Sequence, residues 1–446
     1  MIDVSWTSQP QGREPLTRQM RQHFKEEDLI TDSPSGTAGS QRRTDRYGKV
    51  GIWLIGARGS VATTATLGLA AISAGFANAN GCVTEQGSFD GAVLPDFADL
   101  VVGGHDVSDV SMVKRAEALV DSGMLPLHLF EAVRAHLADA DRRVRPGYSA
   151  LQGTGAREPE SQAAAARRLA RDISDFKDAN RLDRIIVLDV ASTEPPIEPR
   201  PEFADADLLL AAMEDPARTV LPPSSVSAYA AILAGSPYVC FTPSPALNVP
   251  ALRELAVRHH IPTAGQDGKT GQTWLRSVLA PAFAARGLRV LSWAETNLLG
   301  GGDGATLADP LAVAGKLQSK NRGLQELTGG AVTPLHIDNV PDLGETKVAW
   351  DHVSVEGFLG SRLTLQTTWS AYDSMLAAPM VLDLARLMAL AHASGEKGHI
   401  DALGFFFKDP WGSDEHSFAQ QTQNLVEWAQ AASTRLTAGS RNVHQQ

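Results

Sequence analysis

Apolar and polar positions along the chain recur in a fixed order: a short apolar run, a loop of small residues, then a helix pattern. Val50 to Gly56, VGIWLIG, is apolar without alternation and rich in β-branched residues, the pattern of a parallel strand buried on both faces. It ends in Gly56-Ala57-Arg58-Gly59-Ser60, and SVATTATLGLAAISAG then predicts a helix with Ser60 as its N-cap. Next, Val101 and Val102 predict a strand end, Gly103-Gly104 a turn, and a helix starting near Ser108. Residues 145–165 read as a loop into an alanine- and arginine-rich helix, and Leu182 to Thr193 as another buried strand closing on small polar residues. PPSSVSAYAAILAG predicts a helix capped at Ser224 or Ser225. PYVCFTPSPALNVPALRELAVRHH predicts a strand, a proline-punctuated loop and a helix ending at His259-His260. The recurrence predicts an α/β fold with a doubly wound parallel sheet.

The pattern then changes. QTWLRSVLAPAFAARG predicts a helix and LRVLSWAET a strand leading to the glycine run 300–302. WDHVSVEGFLGSRLTLQTTWSA alternates like an antiparallel hairpin, which marks an inserted α+β subdomain. AAPMVLDLARLMALAHASG is an apolar helix returning to the first domain, and GFFFKDPWG leads to a final helix, SFAQQTQNLVEWAQAAS, and a frayed tail. The expected organisation is a polar arm over 1–47, a first domain over 48–272 plus 377–446, and a subdomain over 273–376.

With 446 residues the chain has room for two domains or for one large α/β domain with an excursion. Its two cysteines, Cys82 and Cys240, exclude a disulfide framework and a thiolate zinc set and fit a reducing cytoplasm. A net charge of −11 argues against nucleic-acid binding. The opening MIDVSWTSQPQGREPLTRQ lacks the apolar core of a secretory signal, and no apolar run approaches the roughly 18 residues of a membrane span. The twelve histidines show no metal-ligand spacing, so no structural metal site is expected, a loosely bound cation near Asp303 or Asp373 being the alternative. No Gly-x-Ser-x-Gly elbow occurs. GQDGKTGQT lacks the first glycine of a P-loop, position 263 being Thr263, and no clear apolar strand runs into it.

Two stretches carry candidate chemistry. The strand, glycine turn and helix start at Gly56 to Ser60 form a site for pyrophosphate, whose charge suits free N–H groups and the helix dipole. A tight turn of any α/β protein has the same spacing. Asp106, at a strand's carboxyl end, can accept hydrogen bonds from a ribose or cap the next helix. Over 264–351, Lys269, Lys316, Lys320 and Lys347 lie among turn glycines and short polar residues. A solvated helix face would interleave lysines with glutamates, so this arrangement points to a pocket for an anionic, oxygen-rich small molecule, with lysines merely scattered over a solvated surface as the alternative.

Several of these motifs are specific. GARGSVATT, GGHD, FTPSPALNVPAL, GKTGQTWLRSVLAP, NLLGGGDG, GETKVAWD, YDSMLAAPMVLDL and FFFKDP occur in the order found in one family. From about Val50 to Pro410 the chain resembles the myo-inositol-1-phosphate (inositol-3-phosphate) synthases in their bacterial form. The resemblance implies a Rossmann-like domain with an inserted catalytic and oligomerisation subdomain, a homotetramer, and NAD as a resident redox agent. It also implies glucose 6-phosphate as substrate. C5 of the open-chain sugar is oxidised, a C6 proton is removed, the enolate closes on the C1 aldehyde, and the same NADH reduces the C5 ketone.

Carried over by position, the catalytic lysines fall on Lys316, Lys320, Lys347 and Lys408, with Asp373, Asp267 and Asn297 beside them. Lys316 and Lys347 would attend the C5 and C1 oxygens, Lys320 the phosphate, and Lys408 the proton transfer or redox centre. Asp267 and Asp373 would orient lysines or sugar hydroxyls. Lys269, Thr270, Gly271, Gln272 and Thr273 match the phosphate loop, and Gly301, Asp303 and Glu345 match further substrate positions. For NAD the matches are Gly56, Ala57, Arg58, Gly59, Ser60, Val61, Asp106, Ala191, Ser192, Thr193 and Asp303. Asp351 lies in a matching motif without an assigned role. Fixed ammonium groups suit chemistry that develops negative charge on oxygen. Three residues depart from the eukaryotic pattern: Gly301 for an asparagine, Glu345 for an aspartate and Trp274 for a lysine. They bear on substrate identity more than on reaction class. A relative cyclising another hexose phosphate and a catalytically silent NAD-binding protein are the alternatives.

Overall fold

The structure is a computed structural model that describes residues 48–149, 160–300, 324 and 327–443. The expected N-terminal arm therefore lies outside the described residues, as do Gly301, Asp303, Lys316 and Lys320. The strands are β1 (Val50–Ile55), β2 (Leu100–Asp106), β3 (Val144–Pro146), β4 (Arg184–Asp189), β5 (Tyr238–Cys240) and β6 (Pro262–Gly265). After them come β7 (Arg289–Leu299), β8 (Leu335–Asn339), β9 (Thr346–Glu356), β10 (Arg362–Tyr372) and β11 (Gly398–His399).

Seven of them form one sheet in the order β11-β6-β5-β4-β1-β2-β3, with every pairing parallel. Successive residues of β1 point to opposite faces, and both faces are covered. Ile52 and Leu54 pack with helices Ser60–Ser73, Asp373–Ala393 and Phe418–Val443. Trp53 packs with helices Gln162–Ala179, Pro223–Leu233 and Pro250–Arg258. Double coverage is why these strands read as unbroken apolar runs. The chain leaves β1 toward β2 and β3, then returns to β4 on the other side of β1. The carboxyl ends of β1 and β4 thus flank a topological switch point, where a crevice opens in sheets of this kind.

The second sheet has the order β10-β9-β7-β8. Here β9 pairs antiparallel with both β10 and β7, and β8 runs parallel to β7. Its core gathers Ala280, Val290, Trp293, Val353 and Val355. A buried polar cluster lies alongside: Asp351 accepts from Trp293 Nε1 at 2.7 Å and Gln272 Nε2 at 2.8 Å, and Arg276 pairs with Glu295.

Several local expectations are corrected. Gly103 and Gly104 belong to β2 and do not turn the chain; a Cβ at Gly104 would lie 2.2 Å from Leu54 O, so close strand packing requires the glycine. The following helix is Met112–Asp121, capped by Ser111. Gly59 is the N-cap of helix Ser60–Ser73, and Pro222 that of Pro223–Leu233, so neither Ser60 nor Ser224 nor Ser225 is a cap. The short edge strand β3 and the short strand β6 before GQDGKTGQT were not anticipated. The last helix continues to Val443. Helix Asp373–Ala393 has the length and composition of a membrane span, contrary to the sequence reading, but it is mostly buried against β4, β6 and helix Ser60–Ser73.

Candidate active site

A cavity of about 610 Å³ opens at the switch point and runs to the start of β9. One wall is the glycine turn after β1. Gly56 has φ +79°, and a Cβ there would come within 2.7 Å of Ala191 Cα, so only glycine lets this turn approach the loop after β4. Asp106, at the end of β2, fixes the turn: its carboxylate accepts from Arg58 N–H at 2.6 Å and from Ser108 N–H at 2.7 Å. The Arg58 guanidinium lies against Asp141 at 2.8 Å and donates to Ser108 O at 2.6 Å. Helix Ser60–Ser73 has no side-chain cap and no acid in its first turn. Its first N–H groups carry no carboxylate of their own, as a bound pyrophosphate requires. The dinucleotide therefore fits these residues.

The adjoining wall follows β4. Ala191, Ser192, Thr193 and Glu194 line the cavity, with Ser224, Thr242 and Ser244 behind them. Glu194 accepts from Ser224 N–H at 2.8 Å and from the Ser224 hydroxyl, so its carboxyl occupies the start of helix Pro223–Leu233. Burial pushes Glu194 up to about 7, and burial likewise raises Asp189, at the end of β4, to about 6.

The third wall carries two lysine–carboxylate pairs. Lys347 Nζ donates to Asp373 Oδ2 at 2.8 Å, and Lys408 Nζ donates to Asp267 Oδ1 at 2.8 Å. All four residues line the cavity, and both lysines are buried. The hairpin register sets the first pair, since Lys347 lies opposite Ala371, two residues before Asp373. Asp373 opens helix Asp373–Ala393, where the helix dipole favours its negative charge. Thr270 donates to its other oxygen at 3.4 Å, tying the loop after β6 to the same carboxylate. Asp267 has φ +61°, a left-handed conformation that is costly for a non-glycine residue and is often held at functional sites.

Of the sequence-predicted residues, Gly56, Arg58, Gly59, Ser60, Val61, Asp106, Ala191, Ser192 and Thr193 line the cavity on the dinucleotide side. Asp267, Thr270, Glu345, Lys347, Asp373 and Lys408 line the other side. Others do not. Ala57 is fully buried against the position a Gly104 Cβ would take. The Lys269 side chain turns away to Gln421. Gly271 serves as the N-cap of helix Gln272–Ala285, Thr273 is in its first turn, and the Gln272 amide is taken by Asp351. Asn297 is fully buried in β7. Arg115, Glu194, Thr242 and Ser244 line the cavity although the sequence did not single them out, as does Ser224, which the sequence offered only as a helix cap. The acid following Ala-Ser-Thr at a strand end was the available signal for Glu194. Among the described residues no group of three or more histidine, cysteine or acidic side chains could hold a metal.

Comparison with known proteins places this geometry. The family described as Myo-inositol-1-phosphate synthase matches residues 50–430. Inositol-3-phosphate synthase 1 of Bacteroides thetaiotaomicron is 32% identical over 393 residues, covering 83% of this chain and 91% of the relative. The human inositol-3-phosphate synthase 1 is 31% identical, covering 82% and 72% respectively. The crystal structure of inositol-3-phosphate synthase from Caenorhabditis elegans superposes with a TM-score of 0.75 at 24% identity, covering 87% of this chain and 86% of the other, and so supports the fold.

Proposed function

The chain belongs to the myo-inositol-1-phosphate synthase family, and from that premise we propose that its cavity cyclises D-glucose 6-phosphate to 1D-myo-inositol 3-phosphate. The activity is that of an NAD-dependent inositol-3-phosphate synthase, an isomerising enzyme of inositol biosynthesis. The observation that carries the reading is that two lysine–carboxylate pairs face a dinucleotide crevice across one cavity.

The turn Gly56 to Ser60 and the loop Ala191 to Thr193 would hold NAD, which when bound supplies a hydride acceptor at C5 and later returns that hydride. Asp106 sets the turn and would accept from a ribose hydroxyl of the bound cofactor. Lys347, oriented by Asp373, stabilises oxyanion charge at the sugar's C5 or C1 oxygen, where a buried ammonium is worth more than in water. Lys408, paired with Asp267, exchanges the proton at the redox centre. Thr270, which lines the cavity just before helix Gln272–Ala285, receives the phosphate at that helix's N-terminal end. Lys316, Lys320, Asp303 and Gly301 complete the site in this reading, and Asn297 and Glu345 support it. The homotetramer would form through the four-stranded sheet, a proposal supported by exposed Trp350, Leu363 and Val332. The cytoplasm is the compartment that two free, buried cysteines fit.

Deuterium at C5 of the substrate tests the scheme. Retention in the product is expected, because one bound cofactor removes and returns the hydride. Complete loss to solvent contradicts it.

A further inference from the structure

We infer that Lys269, acting through Gln421, is the positioning residue for Lys408. The inference rests on the reading of Lys408 as a group that touches the substrate or cofactor. Lys269 N–H donates to Phe406 O and Lys408 N–H donates to Asp267 O, each at 2.8 Å. The segments 267–269 and 406–408 are thus two facing rungs that carry the Asp267–Lys408 pair between them.

The Lys269 side chain leaves the cavity from these rungs. It is 6% exposed, its ammonium donates to Gln421 Oε1, and it lies 5.8 Å from the centre of the Phe418 ring. The Gln421 amide nitrogen donates in turn to Gly404 O at 3.2 Å and to Glu415 O at 2.6 Å. One side-chain amide therefore ties the chain before Lys408, the chain after it, and the residue two beyond Asp267.

The chemistry of this clasp is unusual for a packing contact. Trp274 lies 5.9 Å from Phe418 and Phe405 lies 5.1 Å from it, ring centre to ring centre, so the Lys269 ammonium sits beside an aromatic cluster. Among the described residues no carboxylate pairs with it, and burial alone pushes the lysine down to about 7. Burying an amine against a neutral amide is costly. An apolar side chain would fill the space at less cost but could not anchor Gln421.

Lys269→Met keeps most of the stem and removes the donor; Gln421→Leu removes the other partner. In each, kcat per NAD-titrated site should fall about 10- to 100-fold, the loss that small misplacements cause. KM for glucose 6-phosphate and Kd for NAD should stay within about two-fold of the parent. A merely structural role would lower the titratable fraction and leave kcat per site unchanged. Parent-like kcat per site in either folded variant overturns the inference. So does failure of both variants to yield NAD-binding protein, which makes the contact purely structural. Lys408→Ala, measured in parallel, separates the two readings. If it keeps full turnover, the site reading fails; if it is inactive while Lys269→Met is parent-like, only the positioning role fails.

Discussion

Lys347 meets Asp373 at 2.8 Å because the β9–β10 hairpin and the helix that follows it are one continuous piece of chain. The lysine stands opposite Ala371, and the strand ends at Tyr372 as the helix begins at Asp373. Sheet register thus aims a buried cation into the cavity and supplies its counter-charge. The Lys408–Asp267 pair repeats the arrangement with different elements.

Lys347→Ala should reduce turnover about 100- to 1000-fold, the scale of losing a preorganised oxyanion partner. NAD affinity should be unchanged, since Lys347 belongs to β9 and not to the Gly56 turn that would hold the pyrophosphate. Steady-state kinetics and NAD titration by fluorescence check both; near-normal turnover would remove Lys347 from the site.

Gly104→Ala should destabilise the protein by about 1–3 kcal/mol, the usual cost of overpacking. Its Cβ would meet Leu54 O at 2.2 Å and Ala57 Cβ at 2.7 Å, and Ala57 lies within the turn itself. A lowered melting temperature with weakened NAD binding is the expected pair of results. An unchanged melt would mean that β1 and β2 separate easily.

Much of this fold was legible because its central strands are buried on both faces. VGIWLI and RIIVLD read as strands for the same physical reason that they are interior. Small residues were harder, since one residue type serves several purposes. Gly103-Gly104 read as a turn, yet these glycines are there for strand contact. Ser60 and Ser224 read as caps, but one helix start faces the crevice uncapped and Glu194 occupies the other. Motif matching located Lys269 without its direction; a sequence position does not say which way a side chain leaves the backbone, and Gln421 lies 152 residues away. Lys347, Lys408, Asp267 and Asp373 were found by position, whereas their pairing required the fold.

Glu194 and Asp189 predict how stability varies with pH. Burial raises Glu194 from 4.5 to about 7 and Asp189 from 3.8 to about 6, so the native state keeps protons that the unfolded chain releases. Their contribution is complete below about pH 4 and is lost as pH rises through 6 to 7. Glu194→Gln cannot ionise, so the fall in melting temperature of the NAD-free protein between pH 5 and 8 should be shallower than in the parent. Identical slopes would mean that Glu194 is ionised throughout.

Asp351→Ala removes the acceptor of Trp293 Nε1 and Gln272 Nε2 and leaves Arg276 one carboxylate fewer. Orphaning buried donors costs about 1–3 kcal/mol each. The melting temperature should drop by several degrees and KM for the sugar phosphate should rise, because Gln272 starts the helix behind the phosphate loop. A lower melting temperature with unchanged KM would limit Asp351 to folding.

Cyclisation is read out by incubating the purified, NAD-loaded protein with glucose 6-phosphate and following phosphorus NMR and absorbance together. Glucose 6-phosphate should disappear, inositol phosphate should appear in equal amount, and no NADH should accumulate. Steady accumulation of NADH with an oxidised sugar phosphate, or no reaction in folded protein with NAD bound, would contradict cyclisation.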